Sequence, residues 1–126
     1  MLIPENLKYT SEHEWVELLG DDRIRVGITD YAQDALGDVV FVQLPKVDAQ
    51  LTGHALMAEV ESTKSVAEVY APIPGTVSDV NEELATHPEL INQDPYGAGW
   101  FCVLTVEDAS ALDALLDAEA YRVLTE

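Results

Sequence analysis

The chain has 126 residues, with 6 Lys and Arg against 24 Asp and Glu, a formal net charge of −18 at neutral pH. That length suits one core, so 1–126 is expected to fold as a single domain, and 48% hydrophobic residues are too many for an acidic disordered tail. A surface this negative excludes nucleic acid and anionic lipid as ligands, because both need clustered cations, and no apolar run approaches the roughly 18 residues of a membrane span.

Met1 to Lys8 has neither a basic stretch before an apolar one nor Arg-rich transit character, so no targeting segment is expected. Period-two patterning then dominates. Trp15 to Leu19 and Arg23 to Ile28 flank Gly20, Asp21 and Asp22, and read as a hairpin with its turn. Thr29-Asp30 caps a short helix through Leu36, and Gly37 supplies the stop. Val39 to Leu44 is the strongest strand pattern, ended by Pro45. Ala55 to Ser62 and Ser65 to Tyr70 follow as two strands separated by Thr63-Lys64. In the first, Leu56, Ala58 and Val60 share one face and Glu59 and Glu61 the other, the alternation of a half-buried strand. Ala71 to Gly75, with Pro72 and Pro74, reads as a rigid turn, and Thr76 to Asn81 as extended chain. Glu82 to Gly99 has the composition of loops and short helical turns, and Trp100 to Val106 is one more strand. Last, Ser110 is expected to cap a helical segment with Asp113 placed as in a capping box. Leu112, Leu115, Leu116 and Tyr121 supply its apolar stripe. Many short strands with added helices predict a small barrel or sandwich.

Little in the chain assembles a catalytic centre. Gly97 and Gly99 lack the third glycine and the lysine of a phosphate loop, and no nucleophile elbow or zinc motif is present. His13, His54 and His87 are widely spaced and read as surface or supporting histidines rather than metal ligands. Cys102 is the only cysteine, which excludes an intrachain disulfide, fits a reducing compartment and reads as a small buried hydrophobe. The distinctive residue is Lys64, the only cation between Val47 and Tyr121. It sits at a hairpin tip among Glu59, Glu61 and Glu68. A tip presents an amine to a modifying enzyme without unfolding anything, and the carboxylates mark it.

Glu61-Ser62-Thr63-Lys64-Ser65, within Ala58 to Ala67, resembles the lipoyl-attachment segment of the glycine cleavage system H-protein family. Tyr9 to Val16, Gly27 to Gln33, Leu36 to Val42, Leu44-Pro45, Ala71 to Val77, Val80-Asn81, Pro88 to Asn92, and Asp94 to Gly97 with Gly99-Trp100 resemble further family segments, in the family's order. The likeness spans Leu7 to Tyr121. Three positions depart from it: Thr63 stands where Val is commoner, Ser65 where Ala is, and Asp48 where a Gly is usual, so a different local turn is expected there.

The resemblance implies a mainly β fold, a lipoyl-type flattened barrel-sandwich hybrid with a short internal helix and a C-terminal helix. It implies a carrier and not an enzyme, expected as a monomer, with lipoic acid amide-linked to Lys64. Such a carrier takes the aminomethyl group of glycine from P protein (glycine decarboxylase) to T protein (aminomethyltransferase), and L protein (dihydrolipoyl dehydrogenase) reoxidises it. A lipoate-attaching enzyme completes the implied partners. Glu61 and Ser62 belong to the implied attachment segment. Glu14, in the family's His-Glu-Trp segment, is the first candidate to pair with the carried amine, and Glu68 the second; the alternative for both is a solvated strand carboxylate. Biotinyl domains flank their lysine with methionines, unlike Thr63 and Ser65, and lipoyl domains of 2-oxoacid dehydrogenases belong to longer chains. A lipoyl-relay role toward other complexes, and an acidic interaction module with unmodified Lys64, stand as alternatives. A bacterial or archaeal cytoplasm is expected ahead of a mitochondrial matrix.

Overall fold

Two aspartates turn the first hairpin. In the computed structural model, which describes residues 1–126, Asp21 and Asp22 both have positive φ, 53° and 58°. That is the geometry whose twist matches two flanking antiparallel strands, and Asp tolerates it better than most residues. The hairpin joins β2 (Glu14–Gly20) to β3 (Arg23–Ile28), with Gly20 opposite Arg23. With β1 (Lys8–Tyr9), β5 (Gln50–Leu51), β8 (Gly75–Val80) and β9 (Cys102–Thr105) it builds a six-stranded sheet in the order β1-β2-β3-β9-β8-β5. A three-stranded sheet, β4-β6-β7, consists of β4 (Val39–Gln43), β6 (Leu56–Ser62) and β7 (Val66–Tyr70).

The two sheets enclose the main core, in which Ile24, Val26, Val60, Val77, Phe101, Cys102 and Leu104 are fully buried. Burial pushes the Cys102 thiol up to about 12, so it is a packed hydrophobe at neutral pH, as the sequence implied. The helices are short: α1 (Asp30–Leu36), α2 (Glu83–Thr86), α3 (Leu90–Gln93) and α4 (Ala118–Thr125). The Thr29 hydroxyl accepts from the Ala32 amide, and Gly37 at φ 80° ends α1, the cap and stop expected from the sequence. This architecture is the β sandwich with short helices that the lipoyl-type fold describes.

Three expectations need correction. Leu56 is exposed and Met57 buried, because the register of β6 shifts between Leu56 and Ala58; the extra residue breaks the alternation that Leu56, Ala58 and Val60 would otherwise share. The terminal segment is not one helix capped by Ser110. Asp108 caps a 3-10 turn over Ala109–Ala114, and the Ser110 hydroxyl donates to Asp108. Leu116 then pairs with Tyr9 through two 2.8 Å backbone bonds, which pulls the chain extended before Asp117 caps α4. Two backbone bonds to β1 outweigh a weak helical stripe. Finally, Asp48 has φ 74°, the left-handed conformation a glycine adopts, so its substitution requires no different turn.

A second, smaller core joins the termini to the sheet: Leu7, Tyr9, Trp15, Ala118 and Tyr121. Trp15 lies opposite Gly27, and its indole N–H donates to the Pro95 carbonyl at 2.9 Å. A Cβ on Gly27 would fall 2.7 Å from three indole atoms held by that bond. Gly27→Ala is therefore expected to destabilise the fold by about 1–3 kcal/mol in denaturant titration, the usual cost of overpacking; an unchanged midpoint would show that the indole moves freely.

Candidate functional site

The hairpin between β6 and β7 is built by Ser62. Its Oγ accepts from the amides of Lys64 (3.2 Å) and Ser65 (3.1 Å) and donates to the Ser65 carbonyl (3.1 Å). The Ser62 amide donates to the same carbonyl at 2.8 Å. A hydroxyl that mimics a backbone turn in this way fixes a three-residue loop without glycine, and Thr63, Lys64 and Ser65 are all exposed. Glu61 is also exposed and lies between Phe41 of β4 and Val66 of β7.

The hairpin is also held from outside. The Thr63 amide donates to the Asp38 carbonyl at 3.0 Å. Asp38 lies in the turn between α1 and β4, and Asn92 of α3 clamps that turn: its Nδ2 donates to the Gly37 carbonyl (2.9 Å) and to Gln33 Oε1 (3.0 Å), and its Oδ1 accepts from the Val39 amide (2.9 Å). Gly37 has a second task. A Cβ there would sit 2.8 Å from Lys64 Cε, so the lysine stem lies against the bare face of Gly37.

Beside this seat lies a cleft of about 230 Å³ between α1, the start of β2 and the open edge of β7. Ile28, Ala32, Ala35, Leu36, Ala67 and Val69 give it an apolar wall, and Glu12, Glu14 and Glu68 give it a carboxylate end; no Lys or Arg lines it. Glu14 and Glu68, separated by 54 positions in sequence, are thus brought to one cavity. They are not equivalent. Glu68 is exposed, and its Oε2 accepts from the Tyr70 hydroxyl at 3.3 Å. Glu14 is only 2% exposed. Its Oε1 accepts from the Thr10 hydroxyl at 2.7 Å and its Oε2 faces the Tyr70 amide at 3.5 Å, on the unpaired edge of β7. It is not a solvated strand carboxylate.

Burial raises the Glu14 pKa, with its bonds to Thr10 and Tyr70 opposing the rise. No cation touches it, since the nearby His54 gives its Nε2 to Glu12 at 2.7 Å and stacks on Tyr70. A buried carboxylate without a counter-ion favours a cationic or hydrogen-donating guest. The sequence reading did not single out Asp38 and Asn92 as supports of the hairpin, or Glu12 and Tyr31 as lining of the cleft, and it gave Gly37 and His13 no part in the site. His13 has φ 72°, stacks on Tyr31 with ring centroids 4.6 Å apart, and meets the Tyr121 hydroxyl at 2.7 Å. It is a structural histidine, as expected, but one that lines the cleft.

Two outcomes test this geometry. Asn92→Ala leaves the Val39 amide and Gly37 carbonyl without these partners; the expected cost is about 1–3 kcal/mol, with faster hydrogen exchange at the Thr63 amide, and unaltered exchange would break the proposed link from clamp to hairpin. For Glu14 the raised pKa sets the sign. Its contribution to stability is fully present below the ordinary value of 4.5 and is lost as pH rises through the raised value. Glu14→Gln should therefore raise the thermal midpoint at neutral pH, and the advantage should vanish below pH 4.5; a variant less stable than the parent at neutral pH would show that the carboxylate is compensated.

Comparison with known proteins places the whole chain. The family model described as "Glycine cleavage H-protein" matches residues 7–126. The chain is 63% identical to the glycine cleavage system H protein of Mycobacterium avium (strain 104) over a 129-residue alignment covering 98% of each chain. It is 58% identical to that of Mycobacterium tuberculosis (strain ATCC 25618 / H37Rv), again with 98% of each chain covered. The crystal structure of a glycine cleavage system H protein from Mycobacterium marinum superposes with a TM-score of 0.87 at 39% identity, covering 98% of both chains. The exposed lysine hairpin and its cleft therefore sit in a chain that belongs to the glycine cleavage H-protein family.

Proposed function

We propose that this chain is the lipoyl-bearing shuttle of the glycine cleavage system, with residues 1–126 acting as one carrier domain and Lys64 as the attachment residue. The observation that carries the reading is the juxtaposition of an exposed lysine on a rigid hairpin with an apolar cleft ending in an uncompensated carboxylate. The lysine stem lies along the bare face of Gly37, so a linear group extending from Nζ starts beside the cleft. Members of this family are carriers and not enzymes.

Lys64 Nζ would hold lipoate as an amide, and the group would supply there a redox-active disulfide able to carry an aminomethyl group between the P and T proteins, with the L protein as the oxidising partner. The chain's own residues do the rest. Ser62 holds the loop rigid, so the mobile part begins at the lysine stem and each transfer is effectively local. Glu14 accepts a hydrogen bond from the carried ammonium at the closed end of the cleft, with Glu68 at its rim. The apolar wall from Ile28 to Val69 keeps water away, which strengthens that contact and slows hydrolysis. The lipoate-attaching enzyme and the P, T and L proteins are the partners, met through screened charge attraction that permits fast association and release. The compartment is the cytoplasm of a bacterium, in line with the bacterial sources of the relatives.

Lys64→Arg keeps the charge but cannot form the amide. It is expected to abolish glycine cleavage in a system reconstituted with P, T and L proteins while changing stability by less than about 0.5 kcal/mol, since the side chain is exposed. Sustained turnover by that variant would overturn the assignment.

A further inference from the structure

The outer face of the three-stranded sheet carries a feature that the shuttle reading leaves unused. The register of β4 shifts between Val39 and Phe41 where it pairs with β6. Such a bulge places two consecutive side chains on one side of a strand, and here Val40 and Phe41 are both exposed, at 53% and 50%. Phe41 lies opposite Glu61, and Glu61 opposite Val66, which is itself 59% exposed. The next outward row is Gln43, Glu59 and Glu68. The face is thus three unburied apolar side chains around one carboxylate, with further carboxylates behind and no Lys or Arg in either row. Exposed aromatic and aliphatic side chains grouped beside a modified hairpin are a cost in water unless something covers them.

We propose, building on Lys64 as the attachment residue, that Val40, Phe41 and Val66 with Glu61 form the docking surface for the enzyme that acylates Lys64, a protein presenting an apolar recess bordered by Arg or Lys. Position selects this occupant over the others. Val66 is two residues from Lys64 and is the first strand residue after its loop. An enzyme that forms a bond to Nζ must enclose the hairpin and therefore cover this row. Enzymes that act on the far end of a long arm meet their target at a distance from the hairpin and have no such requirement. The charge argument runs the same way. Glu61 stands between the apolar side chains, where a partner's guanidinium could take it bidentately while Phe41 fills a recess.

The acylation itself is balanced. Deprotonated Lys64 Nζ attacks the carbonyl of an activated lipoyl donor, an acyl phosphate anhydride or thioester. A C–N bond forms, the donor's bond to oxygen or sulfur breaks with its electron pair, and the proton released from nitrogen goes to solvent.

The test uses the full chain with a purified lipoate–protein ligase, ATP and lipoate, following attachment by intact mass. Val40→Thr, Phe41→Thr and Val66→Thr combined put β-branched residues at all three strand positions, so the fold is retained and checked by an unchanged thermal midpoint. The expected result is a KM for the acceptor raised about tenfold or more with little change in kcat. Phe41→Leu used in place of Phe41→Thr in that combination should recover most of the loss, and Glu61→Gln in the parent should flatten the dependence of KM on ionic strength. Variant protein loaded to completion by prolonged incubation should have its arm reduced by dihydrolipoyl dehydrogenase and NADH at the parent rate. An unchanged acceptor KM overturns the proposal. So does an equal loss in ligation and in arm reduction, which would make the face common to all partners. Parent protein that takes no lipoyl group on Lys64 would instead overturn the attachment reading on which this one rests.

Discussion

The hydrogen bond from the Thr63 amide to the Asp38 carbonyl extends the pairing of β4 with β6 into the lysine loop itself, and the placement of the site depends on it. A carrier has to satisfy two opposed demands: its reactive group must swing freely, while the point from which it swings must stay fixed. An isolated hairpin is marginally stable in water. Here the Ser62 hydroxyl stiffens the loop from inside, and the Asn92 clamp on the turn from Gly37 to Val39 stiffens it from outside. The same turn supplies the bare Gly37 surface on which the lysine stem rests. Mobility is thereby confined to rotatable side-chain bonds, the regime in which tethering raises local concentration most.

The second constraint is electrostatic. Glu14 is buried beside two other carboxylates of the cleft with no Lys or Arg to balance it. In an apolar environment that arrangement opposes folding whenever the group is ionised. Its hydrogen bonds from Thr10 and Tyr70 recover part of the loss. The remainder is available to a guest that brings a positive charge or a proton donor, which is the physical basis of the proposal that Glu14 pairs with the carried amine. Local destabilisation at a site that awaits its partner is what physical reasoning expects of a binding cleft.

Much of this was legible in the sequence, for reasons specific to each element. The first hairpin, the Thr29 cap and the Gly37 stop rest on local chemistry, and the structure has them where that chemistry puts them. Lys64 stood out because it is the only cation in a long acidic stretch. The exposed Leu56 was not legible, because a bulge depends on pairing with a second strand and leaves no local mark. The terminal helix failed similarly: the pull of Tyr9 on Leu116 acts across more than a hundred residues. The Asn92 clamp and the shared cleft of Glu14 and Glu68 are likewise products of tertiary placement. Resemblance could nominate Glu14, and nearness to Lys64 could nominate Glu68, but their difference in burial emerges only from packing.

The strong negative charge of the chain acquires a local meaning through these placements. It lines the cleft with acceptors, leaves Lys64 without a competing amine nearby, and surrounds the exposed apolar row on the outer sheet. Peptide mapping of the protein purified from its native host tests the shuttle reading most directly. A lipoyl mass increment on the peptide containing Lys64 is the predicted result; a consistently unmodified Lys64, or an increment on Lys8 or Lys46 instead, would contradict it.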